Sequence, residues 1–112
     1  MDNNEVEKSK AFMNIHLIGY KPDSVVYRTI IKKPAGNISI LSFDIGEGLA
    51  QNVSPFDTLD QIIEGRAEII IDGSSNLLET GQSIIIPAHT SNTVRANERF
   101  KMISTVIKSG YE

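Results

Sequence analysis

Asn52, Ser54, Thr58, Asp60 and Asn92 are the residues whose types and spacing could do chemistry in this sequence. The first four fall at even spacing in LAQNVSPFDTLDQIIEG, residues 49–65. Strand alternation puts them on one face together with Ile62, provided Pro55 adds no net slip. Asn92 closes a second stretch, GQSIIIPAHTSN, residues 81–92, and the intervening EGRAEIIIDGSSNLLETG reads as a hairpin that folds the two polar ends together. Amides and hydroxyls converging in an apolar interior can orient a small polar organic molecule without an ion. Asp60 is the one carboxylate in the set; buried, it would have a raised pKa and could give or take a proton. The plainer alternative is that Asn52 and Asn92, which strands disfavour, bond to each other, to Thr58 or to water and seal the interior. For Asp60 the plainer alternative is a place at the solvent rim.

The two histidines extend these options. His89 lies in the loop between Pro87 and Asn92, from which it could reach a bound ligand, although a solvated loop histidine is the commoner case. With Asp60 it is the weak candidate pair for acid/base catalysis on a small sugar- or acid-like substrate. His89, Asp60 and an Asn oxygen would also make a substitute metal site. His16 is expected on the surface or at a dimer interface. No Ser-His-Asp triad, phosphate loop or dinucleotide fingerprint is present, and the lone GEG at 46–48 lacks the helix such motifs need.

Composition narrows the classes further. A length of 112 residues suits one domain, with residues 1–10 a polar, flexible segment and residues 11–112 the folded unit. The absence of cysteine excludes disulfides, thiolate catalysis and cysteine metal sites. A net charge of −3, with three Tyr, four Phe and no Trp, argues against nucleic acid as a partner. No apolar run approaches a membrane span and no signal peptide is visible, so a cytoplasmic protein is expected.

The elements that must hold these side chains are strands. Residues 11–20, AFMNIHLIGY, suit a first strand, followed by a turn at Lys21-Pro22-Asp23. SVVYRTII, residues 24–31, is dense in β-branched and aromatic residues, and NISILSFD, residues 37–44, alternates with Ile38 and Ile40 opposite Leu41 and Phe43. Residues 58–63 and 66–71 are expected as strands joined through a bend at Gly65, and Asp72-Gly73 is the strongest hairpin signal. Residues 76–79, 83–86, 93–96 and 99–108 complete an all-β, antiparallel set of the sandwich or barrel kind. In the last strand Phe100 and Met102 share one face and Ile103 and Ile107 the other, so both faces need cover. A second subunit would supply it and would also shield residues 11–20 as an edge; the alternative is that the N-terminal strand folds over its own sheet.

Two spacings carry a family resemblance. Gly48…Asn52-x-Ser54…Thr58…Gly65 is similar to the first cupin motif, and Gly81…Pro87…Asn92 to the second. The likeness runs from Val25 to Ile107 and resembles small single-domain bacterial cupins of the conserved-barrel "cupin 2" type. It implies a jelly roll, or double-stranded β-helix, commonly in a homodimer. Where the metal-binding form of the family has His, His, Glu and His, this chain has Asn52, Ser54, Thr58 and Asn92. Neutral amide and hydroxyl oxygens bind late first-row metals poorly, so the expectation is a barrel without the metal centre and without a cofactor. Asn52, Ser54, Thr58, Asp60, Asn92 and Met102 are the expected ligand-facing residues. The leading function is a small-molecule-binding or structural module. The alternatives are a metal-independent enzyme and a metalloprotein with substitute ligands.

Overall fold

In the computed structural model, which describes residues 5–111, the β-branched density of the chain resolves into eight strands. These are β1 (Val25–Lys33), β2 (Gly36–Phe43), β3 (Gly48–Val53), β4 (Asp57–Ile71), β5 (Ser74–Glu79), β6 (Ser83–Ile86), β7 (Ser91–Arg95) and β8 (Phe100–Ile107). Every pairing is antiparallel. Neighbours run β1-β2-β8-β4-β7-β3, and β5 and β6 also pair with β4.

β4 is the hub. Its first half pairs with β8 and β6, and its second half with β5 and β7, so one strand belongs to both walls of a jelly-roll barrel. The sequence suggests two strands meeting at Gly65; they are one strand that bends there. Gly65 has a φ of +84°, and a Cβ on it would fall on the Arg99 carbonyl oxygen, so only glycine fits. At the far end of β4, Asp72 and Gly73 have φ values of +50° and +79°, the backbone a tight primed turn requires.

Between the walls lies a dry core built on Phe43, Ile62, Ile69, Val94, Phe100 and Met102. The Phe43 and Phe100 rings stack at 4.4 Å with 11° between planes. Each such side chain contributes about 1.5–3 kcal/mol by leaving water, which makes this end of the barrel its stable foundation.

Residues 11–20 do not form the expected strand. They contain a single 3₁₀ turn, Asn14–His16, and then run as a strap across the outer face of the β2–β8 wall. The reason is visible in the pattern: Leu17 and Ile18 are adjacent rather than alternating, and the strap's carbonyls are taken by side chains instead of a strand ladder. Arg28 donates to the Leu17 carbonyl, Ser42 to that of Gly19 and Lys101 to that of Ile15. Ile18 then packs on Ile40 and Ile103, so the chain itself covers part of the second apolar face of β8. Of the segment 1–10, residues 1–4 lie outside the described residues. From residue 5 onward the chain is tied to β1, where Val6 N–H donates to the Ile30 carbonyl and Lys32 N–H to the Glu5 carboxylate.

Candidate functional site

Inward-facing residues change character in layers along the barrel. On β8 the row reads Phe100, Met102, Ser104, Val106, and strand register places each opposite its counterparts on β2 and β4. Met102 faces Leu41 and Ile62; Ser104 faces Ser39 and Asp60; Val106 faces Asn37 and Thr58. One step beyond the dry core, therefore, Ser39, Ser104 and Asp60 form a polar layer across three adjacent strands. This layer opens into a cavity of about 300 Å³ whose remaining wall includes Ile86, Asn92 and Val94.

Asp60 is the charged member of the layer. It is 3% exposed, and its Oδ1 has no hydrogen-bond partner. Burial pushes its pKa up to about 6, against an opposing hydrogen bond from the Ser104 side chain. Tyr27 is the second titratable group on the wall. The Ser39 hydroxyl donates to its phenol oxygen at 2.8 Å and holds its pKa below the usual range, although burial works against this.

Asn52, Ser54, Thr58, Asp60, Asn92 and Met102 all line this cavity. Asn52 and Asn92 are register partners on β3 and β7, but their side chains do not bond to each other; the Asn92 amide donates to the Asn52 backbone carbonyl at 3.3 Å. Asn52 is exposed, which puts it at the cavity's rim. A register shift lies between Leu49 and Asn52, where three steps along β3 match two along β7. That bulge lets Leu49 and Asn52 both face inward despite their odd spacing.

His89 is exposed, with a left-handed φ of 63°, and does not line the cavity. Its backbone N–H donates to the Ser54 carbonyl at 2.6 Å, which ties the two polar loops together. The structure therefore does not bring His89 to Asp60. His16 is exposed in the 3₁₀ turn on the outer surface. Sequence reasoning missed Tyr27, Asn37, Ser39, Thr90 and Ser104. A signal existed for two of them, because Ser39 shares strand parity with Leu41 and Phe43, and Ser104 with Phe100 and Met102.

The donors on this wall do not suit the metal that the fold commonly holds. Asp60 is its one carboxylate and it has no imidazole; among the described residues no three of His, Cys, Asp and Glu group as a metal site would need.

The family model for ethanolamine utilisation protein EutQ matches residues 7–109. The chain belongs to the EutQ family. Comparison with curated proteins gave no match. Among solved structures, a conserved protein of unknown function from Streptococcus pyogenes is similar over 96% of this chain and 94% of its own, at 30% identity and a TM-score of 0.89. A cupin superfamily protein from Desulfitobacterium hafniense covers 96% of this chain and 97% of its own at 24% identity and a TM-score of 0.85. A cupin 2 conserved barrel domain protein from Leptotrichia buccalis is 27% identical over 84% of this chain and 46% of its own, with a TM-score of 0.81. This EutQ-family chain is thus a small cupin-domain protein, and its fold is the jelly roll that the two motifs imply.

Proposed function

We propose that the chain is a binding module whose barrel takes a small polar organic molecule without a transition metal. The observation that carries this reading is a nearly buried carboxylate, Asp60, standing on the wall of a cavity of about 300 Å³ with one oxygen unpartnered. A buried polar atom without a partner is costly unless a ligand completes it. Neutral groups at the mouth, Asn52, Ser54, Thr58 and Asn92, supply orientation, and Leu41, Ile86 and Met102 supply an apolar floor. A panel of small metabolites tests it: a ligand that binds the folded state raises the melting temperature by mass action. Ethanolamine, which the family's description names, belongs on that panel. Uniform silence at millimolar concentration ends the reading in favour of a structural role.

A second reading is metal-independent acid/base chemistry on a small sugar- or acid-like substrate. What favours it is the pairing on one wall of Asp60, whose pKa burial pushes up to about 6, with Tyr27, whose pKa the Ser39 hydroxyl lowers. Turnover that survives both Asp60→Asn and Tyr27→Phe removes it.

The module is proposed to act as a cytoplasmic homodimer. On the outer face, Leu59 lies between Ile85 on β6 and Thr105 on β8, and Ile85 and Ile107 remain exposed beyond the strap. An apolar strip of this kind suits a second subunit. Light scattering showing a monomer at micromolar concentration removes the dimer while leaving the cavity untouched.

A further inference from the structure

We infer that the ligand is a small organic ammonium ion, whose protonated amino group seats on Asp60 while its hydroxyl or amide end meets the neutral groups at the cavity mouth. This rests on the binding-module reading and specifies its ligand.

Three charged side chains are buried among the described residues: Asp44, Asp60 and Lys101. Asp44 accepts from Arg99, from the Asp23 N–H and from the Ile45 N–H. Lys101 donates to the Ile15 carbonyl and faces Glu64 at 3.4 Å. Asp60 alone keeps an oxygen without a partner, and that oxygen belongs to a residue of the cavity wall.

No basic residue answers it. The elements around the cavity present Tyr27 from β1, Asn37 and Ser39 from β2, Asn52 from β3, Thr58 from β4, Asn92 from β7 and Ser104 from β8. Tyr27 is the one other titratable group among them, and β6 contributes Ile86. Above its pKa, Asp60 is therefore an uncompensated negative charge, itself almost withdrawn from water, on the cavity wall. A neutral alcohol could donate to Oδ1 without balancing the charge, and an anion would be repelled. An ammonium group brings both the charge and up to three donors. Leu41, Ile86, Val94 and Met102 offer its methylenes an apolar surface.

Matched pairs isolate the amino group: ethanolamine against ethylene glycol, and 3-aminopropan-1-ol against propane-1,3-diol, with propionate as the anionic control. Dissociation constants for the intact protein are read by calorimetry or ligand-observed NMR at pH 7.5. The expected result is a preference of about 10- to 100-fold for each amine over its diol, lost in Asp60→Asn. Amine binding weakens about tenfold per pH unit once the pH falls below the Asp60 pKa. Ser104→Ala, which removes the bond that opposes burial, shifts that midpoint upward without abolishing the preference, and so supplies a readout if Asp60→Asn fails to fold. Equal binding of amines and diols, or a preference for propionate, overturns the inference while leaving the binding module intact. No binding by any probe or by the wider panel overturns both.

Discussion

Asp60 and Lys101 stand on neighbouring strands, both almost withdrawn from water at 3% and 7% exposure, and the fold treats them in opposite ways. Lys101 points outward from the β2–β8–β4 wall and is enclosed by the strap. Its ammonium donates to the Ile15 carbonyl at 2.7 Å, meets Glu64 at 3.4 Å and lies 5.0 Å from the Tyr20 ring centroid. The Tyr20 hydroxyl in turn donates to Glu64, which holds that carboxyl below its usual range, with Lys101 adding to the effect. Asp60 points inward and has Ser104 as its one side-chain partner. A buried charge surrounded by partners staples structure; a buried charge lacking them carries an uncompensated desolvation cost. The comparison separates a buried charge that fastens the strap to the outer wall from one that faces the cavity.

The contrast can be broken at four points. Lys101→Met should destabilise the protein by about 2–3 kcal/mol, because it strips a charged hydrogen bond and strands the strap's carbonyl; an unchanged urea midpoint would contradict the staple. Asp60→Asn should act in the reverse direction, adding about 1–2 kcal/mol at pH 7, since it removes a buried charge whose pKa has moved. The sign follows from the raised value. Wild type carries no penalty below the ordinary carboxyl value of 3.8, loses stability as pH rises through about 6, and stays at the lower level above it. The melting-temperature difference between wild type and Asp60→Asn should therefore open between about pH 4 and pH 6; a gap constant with pH places Asp60 in water. Ser104→Ala should raise the Asp60 pKa above its present value, seen in a carboxyl-carbon NMR titration, and a fall there would deny the bond. Tyr20→Phe is the mildest change, about 0.5–1 kcal/mol, with faster amide exchange across residues 14–20 as its mark.

Much of this architecture was legible beforehand, and the reasons differ by element. β1 and β2 show in their β-branched content and alternation, and the β4–β5 turn shows because Asp72-Gly73 suits positive φ. That Asn52, Ser54, Thr58 and Asn92 stand at the motif positions is a matter of residue type alone. Residues 11–20 misled because apolar content resembles a strand even when the backbone's partners are distant side chains such as Arg28, Ser42 and Lys101. His89 takes the solvated place that a loop histidine more commonly has, and its nearness in sequence to Asn92 says nothing about which side of its loop the ring takes.

Local chemistry determined the strands, their turns and the neutral donor set, since alternation and φ preference act within a few residues. Tertiary structure alone decided that Asp60 is buried and incompletely bonded. That outcome depends on Ser39, Asp60 and Ser104 reaching one layer from three separate strands, and on no cation arriving with them. Registers between segments more than forty residues apart set it, and no spacing within a single strand encodes them.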